Sequence, residues 1–468
     1  MSEKNKMTER VPKKIQFYYS LGEVGDGVAY QTFTFLIFTF YFAVVRIPLM
    51  LITTGFIIWS GWNSINDLLV GFISDKTISK HGRRIIWMRI AIAPLAIIMV
   101  LLFTPPLNAE VPFKFLYFLL ILFLFDLIYT AWNLNYNAFF SEQFTSMKGR
   151  SEVGKIRGIF VIVSLIFAFV LPSFIIEDMA NQYGYSYTPF QYMITGIIAA
   201  IIISVSLFLV ITKGIARKTE FEEDAKTAPS IKRAMKITLS NKTFLIFMIP
   251  ALGTWICSGI LPTAIPLYAT YVLGIADQNS ILIGVLLLAA FLVAGMSMTL
   301  WEKIRRRKGA RFAGLLAFIL WAIGQFIFMY MRTFPTAVAA LAFAGIGLGG
   351  SLYFYDQCLA EIIDEDEIKH KTRRSGAYYG IISFIIRMSG VINFLVIGLV
   401  FQGTEWASNY SPNPGVNVLA GLQVLVGWFP IIVLIIAFIG LYFYPIKGER
   451  LDTIRKKVDL LHLEKQKK

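Results

Sequence analysis

Residues 62–84 read W-N-S-I-N-D-L-L-V-G-F-I-S-D-K-T-I-S-K-H-G-R-R, starting inside a long apolar run and ending in a basic turn. Asn63, Asn66 and Asp67 stand at i, i+3 and i+4, so a helix stacks all three on one face. A carboxylate in hydrocarbon costs about 2.5–3.5 kcal/mol on insertion scales. Asp67 is therefore expected to face a polar interior rather than lipid. The segment then leaves the bilayer past Gly71 and Asp75 into Lys76, Lys80, Gly82, Arg83 and Arg84. A polar face joined to a basic anchor predicts a working membrane span.

The composition around it agrees. Of 468 residues, 56% are hydrophobic and 16% charged, against about 45–50% and 25% in soluble domains. Long apolar runs recur throughout, so the chain is expected to be an all-α, polytopic membrane protein. The net charge of +15 falls in alternate short loops, which is the positive-inside pattern and excludes a nucleic-acid partner. Cys257 and Cys358 both lie in apolar segments and imply neither a disulfide framework nor a metal cluster. There is no phosphate-binding glycine loop and no zinc-type histidine pair, so no enzyme activity and no cofactor beyond a coupling ion are expected. The polar N-terminus lacks a signal-peptide core and is expected to stay in the cytoplasm.

A span needs about 20 apolar residues. Twelve are read, near 16–45, 49–74, 86–106, 113–140, 156–177, 188–212, 243–273, 279–302, 311–331, 335–362, 377–402 and 416–445. Basic loops follow spans two, four, six, eight and ten, which places both termini in the cytoplasm of a cell-membrane protein. The halves repeat: Asp75 to Gly82 after span two is matched by Glu302 to Gly309 after span eight. This predicts two pseudo-symmetric six-helix bundles, 15–212 and 243–446, around a midplane site. A cytoplasmic N-terminus (1–14), a linker (213–242) and a basic tail (447–468) complete the chain. The tail reads either as an amphipathic helix on the membrane surface or as a solvated segment.

Intramembrane charges mark candidate function. Asp67 reads as a cation ligand or proton carrier, or as the buried partner of Arg387 in span eleven. In span one, G-E-V-G-D-G places Glu23 and Asp26 at i, i+3 among glycines that allow close approach of a ligand or a helix. Carboxylates there accept hydroxyl pairs of the kind sugars present, although Glu23 also suits a pair with a loop arginine. Span four carries Asp126, Trp132, Asn133 and Asn137, the materials of a polyol site and equally of helix-to-helix adhesion. Asp356 in span ten is a further binding candidate or a partner for Arg387. Asp75, Gly82, Arg83, Arg84, Glu142 and Arg150 suit a cytoplasmic gate of breakable ion pairs.

W-N-S-I-N-D, followed by G-x-x-S-D-x-T and G-R-R, resembles the glycoside–pentoside–hexuronide:cation symporters of the major facilitator superfamily, with further likeness over 141–157 and 360–387. The resemblance implies the major facilitator fold and transport of a sugar or glycoside with Na⁺ or H⁺ as a monomer. It implies cation coupling at Asn63, Asn66 and Asp67, although the family's usual first aspartate is Asn63 here. It also implies a cation-site neighbour at Arg387, where the family carries lysine. Its sugar-binding aspartates align with Gly27, beside Asp26, and with Asn133. Relatives within the family carry lysophospholipids, which the neutral Asn63 keeps as an alternative. A non-transporting receptor or scaffold is the reading from another class, and the intramembrane charges argue against it.

Overall fold

A computed structural model describes residues 11–77, 79, 82–144, 147–216, 238–275, 280–370, 375–454 and 456–458. It is built from helices, with no strand among the described residues. The first span comprises α1 (Lys13–Ser20) and α2 (Gly22–Thr39), the latter continued by a π turn at Phe40–Val44. Then come α3 (Leu49–Lys76), α4 (Arg83–Leu101), α5 (Val111–Gln143) and α6 (Met147–Leu165). After a second π turn and the short α7 (Leu171–Ile175), α8 covers Thr188–Lys213. The later helices are α9 (Lys242–Tyr271), α10 (Ile281–Tyr330), α11 (Phe334–His370), α12 (Ser375–Phe401), α13 (Val416–Gln423) and α14 (Phe429–Tyr442).

Among the described residues, 10 helices are long and apolar enough to cross a membrane. One of them, α10, spans 50 residues and is two helices meeting at Gly309. Helix α3 is long enough at 28 residues but is not among the ten, because Asn63, Asn66 and Asp67 dilute its apolar run. With α3 and both arms of α10 the expected twelve segments are present.

Several helices outlast the apolar runs that announced them. The basic stretch after span eight was expected as a loop, yet α10 stays helical through it up to Gly309. Likewise α11 runs on to His370, and α6 begins at Met147, ahead of its apolar run. Hydropathy measures hydrocarbon thickness, whereas Lys, Arg and Glu are good helix formers in water.

The matching loops of the two halves share a backbone feature. Gly82 has φ 95° and ψ 141°, and Gly309 has φ 84° and ψ 164°. Both lie in a region open essentially to glycine. Gly82→Ala or Gly309→Ala should therefore cost about 1–3 kcal/mol, read as a lower thermal midpoint of the purified protein. Helical Gly295, where an added Cβ would meet no atom within 4 Å, should accept alanine without loss. Equal behaviour of the three variants would remove the strain argument.

The chain divides into two compact units. Unit 1 holds Met1–Ala228, Ala269–Leu288 and Phe401–Gly415; unit 2 holds Pro229–Tyr268, Ala289–Val400 and Val416–Lys468. Unit 1 contains an aromatic cluster centred on buried Trp406. Phe42, Tyr271, Phe401 and Tyr410 surround its ring at 5.2–5.6 Å between centroids. The Tyr410 hydroxyl bonds that of Tyr271 and donates to the Ala180 carbonyl oxygen, and burial pushes the Tyr410 phenol up so that it remains a donor. Ser280 donates to the Glu177 carbonyl oxygen beside it.

In unit 2 the described part of the tail, up to residue 458, packs one apolar edge against the unit and leaves its polar residues exposed. Residues 449–458 turn helically where described, and Leu451, Ile454 and Val458 at i, i+3, i+7 sink into the unit's own core. Arg450 anchors the segment through Nε to Glu365 Oε1 at 3.1 Å.

Candidate functional site

The site in unit 1 begins with three glycines on α2. A Cβ on Gly22 would sit 2.6 Å from the Tyr136 ring, on Gly25 2.5 Å from Leu207, and on Gly27 within 2.1 Å of Ser164. The glycines thus press α2 against α5, α8 and α6, which is the helix-approach reading of G-E-V-G-D-G. Close approach brings Asp26 into reach of α5. Asn133 Nδ2 donates to Asp26 Oδ1 at 2.9 Å, and the Tyr129 hydroxyl donates to Oδ2 at 3.3 Å. Tyr129 is held in place by stacking on Phe125 (5.6 Å, 9°) and Tyr30 (5.3 Å, 23°).

Glu23, one turn before Asp26, makes an ion pair with Arg157 of α6. The side chains are only 14% and 18% exposed, so the pair is largely desolvated. Arg157 Nη2 also donates to Asn137 Oδ1 at 2.9 Å. Its guanidinium lies over Tyr136 (5.1 Å) and Phe140 (4.7 Å). Tyr136 is fixed in turn by reciprocal bonds with Tyr19: each hydroxyl donates to the other's backbone oxygen, at 2.5 and 2.9 Å. Trp132 is wholly buried and stacks on Tyr136 at 5.4 Å.

The polar face of α3 meets α5 as well. Thr130 Oγ1 donates to Asp67 Oδ1 at 3.1 Å. Asn66 Nδ2 donates to Asp126 Oδ2 at 2.9 Å and to the Asp126 carbonyl oxygen at 3.1 Å. Asn63 is buried on the same face. Asp126, a substrate candidate in the sequence, is thus set against Asn66 rather than with Asp26, because it lies seven residues, two turns, before Asn133. Along α5, Asp126, Thr130, Asn133 and Asn137 stand at i, i+4, i+7 and i+11, a single stripe. Its one end serves α3 and its other end serves Asp26 and Arg157.

In unit 2, Arg387 is half-buried on α12, and its pairing with Asp67 stays an expectation. The side chains of Asp356, Asp75, Arg83, Glu142 and Arg150 lie outside the described residues; Gly82 and Arg84 are described. Sequence reading missed Arg157, Thr130 and Tyr129. Arg157 stood at the predicted edge of span five, where a basic residue reads as an anchor. Thr130 and Tyr129 carry no charge to flag them, though Thr130 sits midway along the stripe from Asp126 to Asn133.

Three comparisons bear on this arrangement. Residues 18–448 match the family described as MFS/sugar transport protein. The glucuronide carrier protein homolog of Escherichia coli (strain K12) is 21% identical, with 94% of each chain covered. The sodium-dependent lysophosphatidylcholine symporter 1-A of Danio rerio is 20% identical over 86% of this chain and 79% of its own. Among solved structures, the D-xylose-proton symporter superposes with a TM-score of 0.67 at 11% identity, over 92% of this chain and 97% of that one, and so shares the fold.

Proposed function

Because the chain belongs to the MFS/sugar transport protein family, we propose that it is a sugar or glycoside symporter driven by a monovalent cation. It is a multi-pass membrane transporter and not an enzyme. Its partners are a small solute and a coupling cation.

The stripe on α5 carries this reading. Asn133 and Asn137 serve the end with Asp26, Glu23 and Arg157, which offers carboxylate acceptors and a guanidinium donor for a hydroxyl-rich solute. Thr130 and Asp126 serve the end with Asn66 and Asp67. A cation at one end and a solute at the other would bias one rigid helix, which is what coupling requires. Na⁺ and H⁺ are both open as the driving ion, and Arg387 is the proposed neighbour that holds Asp67 ionised. Trp132 would act by supporting Tyr136.

The wider reading follows from the same plan. Two six-helix bundles, 15–212 and 243–446, rock about a midplane site in the cell membrane, with both termini cytoplasmic. Asp75, Gly82, Arg83, Arg84, Glu142 and Arg150 form the cytoplasmic gate. The Trp406 cluster gathers the ends of the first, seventh and eleventh spans with residues 405–410, on the side opposite the basic loops in this reading. The protein works as a monomer, without a cofactor other than the ion.

Uptake of labelled sugars and a lysolipid into proteoliposomes, under separate Na⁺ and proton gradients, tests this. Sugar accumulation is expected. Movement of lysolipid alone would favour the second reading, which the Danio rerio relative supports. Silence across sugars and lysolipid under both gradients would overturn symport.

A further inference from the structure

We propose that Asp126 is a second carboxylate of the coupling site and takes an alkali-metal cation together with Asn66 and Asp67. The inference rests on the symporter reading but not on the identity of the solute.

Asp126 is 2% exposed, within the span that α5 contributes. A carboxylate in that setting is expensive and marks function by default. Asn66, itself 0% exposed, turns its Nδ2 onto two Asp126 oxygens. That orientation fixes the amide, since a flip would aim its oxygen at both acceptors. The consequence is that Asn66 Oδ1 is buried with no hydrogen-bond partner among the described residues. Such an atom calls for an explanation, and an unseen ion is one of the few available.

The chemistry selects the ion. An amide oxygen is too weak a base to hold a proton at neutral pH, whereas it is a good ligand for a hard cation. The Asp126 carboxylate is bonded to the same amide. One turn along α5, Thr130 holds Asp67 Oδ1 at 3.1 Å, so a second carboxylate and a hydroxyl stand on the adjoining turn. All these donors are oxygens, as Na⁺ or Li⁺ prefers. Among the described residues no three His, Cys, Asp or Glu are grouped to hold a metal ion, and two carboxylates with neutral oxygens suit a monovalent charge. The cation would draw the Asn66–Asp67 turn of α3 onto the Asp126–Thr130 turn of α5, whose stripe continues to Asn133.

The test uses the purified full chain in detergent without sugar. Thermal midpoints are followed as LiCl, NaCl or KCl replaces choline chloride at constant ionic strength. The wild type should be stabilised by Na⁺ or Li⁺ and not by choline. Asp126→Asn should raise the half-maximal cation concentration at least tenfold, as should Asp67→Asn. Asp126→Glu, which keeps the charge and lengthens the side chain, should change the order of preference among the three ions; it decides the matter if Asp126→Asn fails to fold. Wild-type half-saturation and ion preference in both Asp126 variants would overturn the proposal, as would a wild type indifferent to all three ions. Cation stabilisation without sugar uptake would sink the sugar reading and leave this inference standing.

Discussion

Replacing Asp67 with Asn is expected to reduce solute accumulation in proteoliposomes to equal concentrations inside and out. A tenfold ion gradient is worth about 1.4 kcal/mol and supports about tenfold accumulation if one ion is coupled to one solute. That free energy reaches the solute only if the loaded and empty cation sites differ in how they bias the protein. Asp67 supplies charge on the face of α3 that Thr130 engages, and the amide keeps the shape while removing the charge. The substrate end of the stripe is on another turn and another helix, so downhill equilibration should survive more than accumulation does. Uptake followed with and without the gradient separates the two. Accumulation that stays near tenfold in Asp67→Asn would remove Asp67 from coupling.

Arg157→Ala should be the most damaging single change for stability. It leaves the Glu23 carboxylate desolvated without its guanidinium, and breaking such a buried pair costs about 3–5 kcal/mol. The variant also loses the contacts over Tyr136 and Phe140. Removing both charges, as Glu23→Gln with Arg157→Leu, should recover much of the loss, because the penalty lies in the unpaired charge rather than in the missing attraction. Thermal unfolding of the purified variants checks this. A single variant within about 2–4 °C of wild type, the shift that roughly 1 kcal/mol produces in domains of this size, would mean the pair is solvated after all.

Much of the fold was legible because hydropathy and helix period are local properties. The twelve runs, the Asn66–Asp67 face and the glycines of α2 each follow from residues close in sequence. The Gly82–Gly309 correspondence was visible as spacing, and the structure gives it matching backbone angles. What sequence withheld is which face of one helix meets which neighbour. Asp126 and Asp26 are both intramembrane carboxylates, and nothing local says that one goes to Asn66 and the other to Asn133. Glu23 invited a loop arginine and found Arg157 on α6 instead, at the edge of span five, where a basic residue reads as an anchor rather than a partner. The described part of the tail shows the same limit: Leu451, Ile454 and Val458 at helical spacing mark a buried face but not what buries it.

The dilution of α3 by polar residues has a consequence for biogenesis. A helix carrying Asn63, Asn66 and Asp67 partitions poorly into lipid on its own, and its described hydrogen bonds to α5 join residues 60 and 63 positions apart. At about 5–20 residues per second, the ribosome needs on the order of 3–12 s to deliver those partners. For that interval the nascent α3 must wait beside the translocon or against its earlier neighbours. The residues that would couple the ion also make this the segment most dependent on help from the insertion machinery.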